Sequence, residues 1–381
     1  MPKKDWEAKL AARLDDYAKQ IEKLFDKAAV EAADIGVRLD LPRLDKPFSF
    51  NDYPIAGRRI NSVVRNLQYD MNAVVVSGIQ AEWENSNFKM DEIAKEILDY
   101  QYKGIAFKKV PHYQKYFNNN AGALEAFKKR KMYGLSLSDR VWRYSGMFKT
   151  EIEMGLDLSI KSGLSAAETA RDLKQYLREP DKLFRRVRDA HGQLHLSKKA
   201  AAYHSGRGVY RSSYKNARRL AVTEINMAYR AAEHERIQQM DFIVGIEIKL
   251  SHNHPVPDIC DDLKGKYPKD FEFTGWHPHC RCYQVTILKT DEEIDADDEL
   301  IREGKEPSGE SVNEIDRPPQ GMVDWLEDNK ERIAKAKQDG TLPYFLRDNA
   351  DTLARKTAGI KPLKAADLKV PAGARIKTPA I

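Results

Sequence analysis

Two of the three cysteines and two of the nine histidines fall in one octet, Trp276-His-Pro-His-Cys-Arg-Cys-Tyr283. The remaining cysteine, Cys260, stands twenty residues before Cys280, behind a second histidine pair in Ser251-His-Asn-His-Pro-Val-Pro-Asp-Ile-Cys260. Zinc takes four soft or borderline ligands at tetrahedral corners, thiolate and imidazole above all. The candidate ligands are Cys260, Cys280, Cys282, His277 and His254, with His252 and His279 beside them. The pattern is not a pair of CxxC knuckles, so a competing reading stays open: Cys280 and Cys282 as small buried residues, the histidines as hydrogen-bonding loop caps.

Two catalytic readings use the same residues. A metal-dependent nuclease would use loop histidines to activate water beside a cation, with Asp258, Asp261 and Asp262 supplying carboxylates. Cys-His nucleophilic catalysis needs one activated thiol, and nothing in the sequence singles one out. A zinc deaminase is excluded, because Pro278-His-Cys-Arg-Cys is not Pro-Cys-x-x-Cys and no His-x-Glu precedes it.

The elements that must position this loop read as a long helix followed by two strands. The helix is expected from about Ser213 to Met240, and its Thr223, Asn226 and Arg230 share one face. With Glu224, the first two form a candidate polar network that braces the Cys/His loop. The strands, Phe242 to Leu250 and Tyr283 to Leu288, are rich in β-branched and aromatic residues. Pairing them would bring Cys260 toward Cys280 and Cys282.

Upstream the pattern is helical. Trp6, Leu10, Leu14, Tyr17, Ile21, Leu24 and Ala28 form one stripe, and Ile60, Val64, Leu67, Met71 and Val74 a second. Further helices are expected from Met90 to Tyr100 and from Ser138 to Ile160. Between them, aromatics and lysines interleave from Tyr100 to Phe117, a pattern that reads first as a core with a charged rim and only second as a single-strand contact. Ser165 followed by Glu168 has capping-box spacing and opens another helix, to about Leu177. The expected fold class is therefore mainly α with a small α+β module. The divisions are a helical N-terminal region over 1–158, a Cys/His module over 159–290, a linker over 291–317, and a C-terminal helix with a flexible basic tail over 318–381.

Charge is unevenly spread over the 381 residues, although the net value is only +6. Eleven Lys or Arg lie between Asp181 and Arg219 against two acids. Arg185, Arg186, Arg188, Lys198, Lys199, Arg211, Lys215 and Arg218 are the candidates there for contact with DNA or an acidic partner. From Asp291 to Asp316, twelve acids stand against two bases, and the run reads as a solvated linker. No apolar run approaches the length of a membrane span, and Met1-Pro-Lys-Lys-Asp-Trp6 leads into a charged helix, which points to a protein made in the cytoplasm.

From about Ile160 to Leu288 the order of features resembles the phage Mu F-like head morphogenesis family of minor capsid proteins. The matching segments are Ser162-Gly-Leu-Ser165, Ala221-Val-Thr-Glu-Ile-Asn226, Asp258-Ile-Cys-Asp-Asp-Leu-Lys-Gly265 and His277-Pro-His-Cys-Arg-Cys282, the last being the most specific. Many relatives carry CxxC in the loop, whereas here Pro257 stands at the first cysteine, so His252 or His254 would have to replace that ligand. The basic insertion between Pro180 and Arg218 also separates two helices that lie closer in simpler relatives. The resemblance implies a minor head component of a phage or prophage, present in few copies near the portal and acting in assembly or in DNA packaging and delivery. It implies portal, major capsid or scaffold protein as partners and does not imply catalysis; no membrane partner is expected. Its place would be the virion head, and the host cytoplasm during assembly. The residues after Asp316 are too few for an appended enzyme core.

Overall fold

The computed structural model describes residues 5–39, 48–102, 110–161, 163–180, 186–188, 190–196, 210–251, 254 and 256–356. It is mainly helical, with one small antiparallel sheet and one short hairpin. Helix α1 spans Trp6–Val37 and α2 spans Pro54–Tyr102. Short helices follow at Pro111–Gln114 (α3) and Ala121–Lys129 (α4), then α5 at Leu137–Lys161 and α6 at Ala166–Arg178. The hairpin β1–β2 pairs Arg186–Arg188 with Leu194–Leu196, and α7 spans Ser213–Gln239.

The apolar stripe of α1 is buried at Leu10, Leu14, Ala18, Ile21, Phe25 and Ala28, so Ala18 and Phe25 take the core positions that the spacing gave to Tyr17 and Leu24. Tyr17 and Ala18, like Leu24 and Phe25, are adjacent positions about 100° apart at 3.6 residues per turn, so each pair flanks the same buried line and one member of each takes the core. Helix α2 is one continuous rod where two helices were expected. Its polar middle, with Glu82, Ser86, Asn87 and Lys89, is buried rather than looped out. Pro54 opens it, where its missing N–H leaves no intrahelical bond unmade. Ser165 caps α6 through the expected reciprocal box with Glu168.

The chain forms two compact units, each discontinuous in sequence. One unit comprises α1 up to Ala11, Ile79–Lys129 and the chain from Thr223 onward; the other comprises Ala12–Gly78 and Arg130–Val222. Helices α1, α2 and α7 each contribute residues to both units.

In the first unit, the sheet has the order β4-β3-β5, with β3 at Ile243–Lys249, β4 at Gly265–Pro268 and β5 at Tyr283–Leu288. The two expected strands do pair, Lys249 opposite Tyr283, and β4 is a third strand that the sequence reading missed. The end of β3 and the starts of β4 and β5 therefore lie at the same end of the sheet, where Ile248 pairs with Gly265 and Gln284. A five-residue helix α8, Ile259–Leu263, leads into β4.

The acidic run is not a solvated linker at its start. Asp291–Arg302 forms helix α9, opened by a capping box between Thr290 and Glu293. Ile294 and Ile301 are buried, and buried Asp297 takes an ion pair from Lys289 at 2.6 Å. Three acids in the first turn also complement the helix dipole, so the charge that looked disordering is partly helix-stabilising. Beyond it, four short helices pack where one was expected: α10 Gln320–Asp328, α11 Lys330–Gln338, α12 Tyr344–Arg347 and α13 Ala350–Lys356. Phe345 sits against Trp276 and Trp325, with ring centroids 5.4 and 5.6 Å away. The expected flexible tail after Lys356 lies outside the described residues. Among the described residues, no helix is long and apolar enough to cross a membrane.

Candidate metal centre

Strand register does most of the assembly. Cys260 lies just before β4 and Cys282 just before β5, and both strands start at the same end of the sheet. All three thiols are buried, and their sulfurs lie within 4.8 Å of one another. Cys260 Sγ is 3.9 Å from Cys280 Sγ and 3.1 Å from His277 Nε2. His277 thus reaches the thiols through Cys260, and its Nε2 is also 3.3 Å from Asp258 Oδ2. Its other nitrogen is 2.8 Å from the carbonyl of Pro278, a contact that suits an Nδ1–H tautomer and leaves Nε2 as the ligating atom.

Of the other candidates, His254 is not brought to the thiols. It lies with Asp258 and Asp261, Nε2 2.9 Å from Asp261 Oδ2. Those two carboxylates also close the capping box of α8: Asp258 accepts from the Cys260 amide at 2.7 Å, and Asp261 accepts from the Asp258 amide at 3.0 Å. The box fixes the backbone that presents Cys260. His252 lies outside the described residues.

The loop carrying Cys280 and Cys282 is held by one face of α7. Thr223 Oγ1 accepts from the His279 amide at 3.2 Å, Asn226 donates to the Cys280 carbonyl at 3.1 Å, and Arg230 reaches the Cys282 carbonyl at 3.4 Å. Positions 223, 226 and 230 are spaced by three and four, one contact per turn, which is how a helix meets three nearly consecutive loop residues. Glu224 is buried on the same helix, 2% exposed. The loop itself is tightly bent. His279 has φ of 64°, unusual for a side chain with a Cβ, and Gly275 has φ of 115° and would place a Cβ 3.1 Å from the Cys280 Cβ.

The thiols differ in proton affinity because they bond to each other. Hydrogen bonds from Cys260 and Cys282 hold Cys280 well below the usual thiol range, against its burial. Cys260 is pushed up by its bonds to Cys280 and Cys282 and by desolvation. Cys282 is drawn down by Cys260, but Cys280 and burial outweigh that and raise it to about 12. The bonds that lower Cys280 are the ones that involve Cys260 and Cys282, so Cys280 is the first of the three to lose its proton and the trio titrates as a unit.

Removing the Asn226 amide leaves the Cys280 carbonyl unpaired in a buried place. Asn226→Leu is expected to cost about 1–3 kcal/mol and to speed the reaction of the thiols with a bulky disulfide reagent. Unchanged stability and unchanged thiol reactivity would mean that the loop is held without this bond.

Of the basic candidates, Arg186 and Arg188 are in β1, Arg211 precedes α7, and Lys215 and Arg218 lie on its first turns; Arg185, Lys198 and Lys199 fall outside the described residues. Lys215 sits over the Tyr210 ring, 5.6 Å from its centroid. The sequence reading also missed a buried ion network around Arg230, joining Glu7, Lys89 and Glu233. Its partners are 82 and 223 residues apart in sequence, and no local spacing announces them.

No family model, no curated protein and no solved structure matches the chain. What stands on the chain's own residues is a three-cysteine cluster, with His277 beside it, that can hold a metal ion.

Proposed function

We propose that the protein is a minor head component of a phage or prophage, acting in head morphogenesis near the portal, and that its Cys/His loop is a structural zinc site. The observation that carries the reading is that three of the four segments on which the resemblance to the Mu F-like family rests converge. The Thr223/Asn226 helix face grips the His277–Cys282 segment, which meets Cys260 of the Asp258–Gly265 segment. Zinc suits this place. With Zn–S bonds near 2.3 Å, a tetrahedron has S···S edges of about 3.8 Å, and Cys260 and Cys280 are 3.9 Å apart. Cys260, Cys280 and Cys282 would supply thiolates and His277 the fourth ligand. Bound zinc would fasten the loop to the sheet, a stabilising role that requires no open coordination position.

The metal-dependent nuclease is the weaker reading on the same geometry. Asp258 and Asp261 are engaged in capping α8 and in contacts with histidines, which leaves exposed Asp262 as the one carboxylate of the three outside those contacts, too few to hold a cation and handle water. Assembly through contacts with portal, capsid or scaffold protein, with DNA as a further partner of the basic stretch, needs no such groups.

The test is the protein composition of particles purified after prophage induction, full heads compared with empty ones. The expected result is this chain at low copy number alongside portal protein. Its absence from every intact particle, together with divalent-metal cleavage of plasmid DNA that is lost in His277→Ala, would replace the head reading with the nuclease.

A further inference from the structure

The second unit carries an exposed face with a chemistry of its own. Lys149 of α5 donates to Asn61 of α2 at 3.0 Å, and the contacts of Asp157 with the Phe48 amide and of Glu153 with the Phe50 amide show that α5 runs antiparallel to the start of α2. Two turns back along α5 from Lys149 stands Trp142, and two turns onward along α2 from Asn61 stands Tyr69. Both steps cover about 11 Å at 1.5 Å per residue, so the two rings stand at about the same height along the two helices, Trp142 in line with Lys149 and Tyr69 roughly 80° around α2 from Asn61. Trp142 is 64% exposed and Tyr69 76%, against a core that buries most of the chain's other aromatic side chains. Neither ring has an aromatic partner among the described residues.

The floor between and beyond the rings is polar, basic and low. Arg58, Ser62, Arg65 and Tyr69 are spaced by four, three and four along α2, one face of the helix. Arg65 donates to the Ser62 hydroxyl at 3.3 Å, and neither it nor Arg58 or Lys149 has a carboxylate partner among the described residues. On α5, Gly146 lies one turn from Trp142, and a Cβ built on it would meet nothing within 4 Å. A glycine inside a helix costs roughly 1 kcal/mol against alanine, and here no packing neighbour requires it. Of the acids at the ring end of the face, Asp139 is turned back to its own cap, accepting from Ser136 at 2.6 and 2.9 Å.

We infer that this face, Trp142 and Tyr69 as stacking rings with Arg58, Arg65 and Lys149 along a glycine floor, binds single-stranded nucleic acid. Exposed rings stack on unpaired bases whatever their identity, while cations beside them follow the phosphates. An apolar helix of a protein partner fits less well. It would bury the donors of Asn61, Ser62 and Arg65 against hydrocarbon, whereas phosphate oxygens accept from all three. Single strands are favoured over duplex because paired bases do not offer their faces to a ring. The face shares no residue with the basic stretch before α7 and does not depend on where in a particle the protein acts.

The experiment is fluorescence anisotropy of the full chain with a fluorescein-labelled oligothymidylate, and with a labelled duplex of the same length, in low and moderate salt. Single strand is expected to bind more tightly than duplex, with quenching of tryptophan emission that disappears in Trp142→Ala. Trp142→Ala and Tyr69→Ala should each weaken binding about tenfold, and Arg65→Glu should weaken it and flatten the salt dependence. Gly146→Glu separates binding from folding. It fills open space and improves helix propensity, so the unfolding midpoint should hold or rise while binding is lost. The inference is overturned if the wild-type chain does not bind the oligonucleotide or binds duplex equally well. It is also overturned if affinity is unchanged in Trp142→Ala and Tyr69→Ala but lost in Arg211→Glu/Lys215→Glu/Arg218→Glu.

Discussion

Arg230→Met is expected to destabilise the first unit by about 3–5 kcal/mol, one of the largest effects available from a single substitution in this chain. Arg230 is 2% exposed, and its guanidinium meets both Glu7 oxygens, Glu233 at 3.2 Å and the Cys282 carbonyl. Lys89 completes the group with contacts of 3.1 Å to Glu7 and 2.5 Å to Glu233. Two cations and two carboxylates balance; without Arg230, one buried negative charge has no counterpart. Removing one member of such a set costs more than the set contributes, because the stranded charge keeps its desolvation penalty. The double variant Arg230→Met/Glu233→Gln restores the balance between Lys89 and Glu7, and should therefore recover part of the loss despite a second truncation.

Acid supplies an independent check. Burial opposes ionisation of Glu7, but Arg230 and Lys89 outweigh it and bring the carboxyl down to about 2 from its usual 4.5. A carboxyl depressed on folding contributes stability above its unfolded value that disappears as pH falls through the folded one, here about 3 kcal/mol lost between pH 4.5 and 2. In Arg230→Met the depression is smaller, so less remains to be lost. Urea unfolding followed by tryptophan fluorescence should show the gap between wild type and variant narrowing from pH 7 to pH 3. A gap below about 1 kcal/mol at pH 7, within the range of ordinary substitutions, would mean that the network contributes little.

The same residues show how far the sequence could be read. The α7 face was legible because Thr223, Asn226 and Arg230 interrupt an apolar stretch at helical spacing, and polar groups so placed need partners. The convergence of Cys260 with Cys280 was legible because two β-branched runs flank the segment between them and antiparallel pairing brings its ends together. The continuity of α2 was hidden, since Glu82, Ser86, Asn87 and Lys89 look like a surface turn until their long-range partners are known. Helix α9 was hidden for a different reason. Charge density suggested a linker, although Thr290 with Glu293, and Ile294 with Ile301 two turns on, already had the spacing of a capped amphipathic helix. Local signals of cap and period outweighed composition there, because one buried ion pair, Lys289 with Asp297, absorbs an acid that would otherwise oppose packing. Glu7 had no local signal at all; its role exists only once α1, α2 and α7 are brought together.

Zinc binding should release about two protons per ion, and its affinity should rise about a hundredfold per pH unit through neutrality. The count follows from the thiol trio. Cys280 is already the favoured thiolate, while Cys260 and Cys282 hold their protons above the usual thiol range by donating to it and by burial. A cation that takes all three sulfurs must displace those two protons. Lower pH restores the protons and competes with the metal, so affinity falls as pH falls. Calorimetry in two buffers of different ionisation heat gives the proton count directly, and competition with a chromophoric chelator gives the slope. Cys280→Ala removes the sulfur that the other two donate to, and should lower affinity by well over the roughly hundredfold typical of losing a supporting contact. With free zinc at about a thousand times its dissociation constant, the wild-type chain gains about 4 kcal/mol against unfolding; Cys280→Ala should gain almost none. Retention of stoichiometric metal by that variant, or a proton count near zero, would place the ion elsewhere and leave the three cysteines as buried thiols.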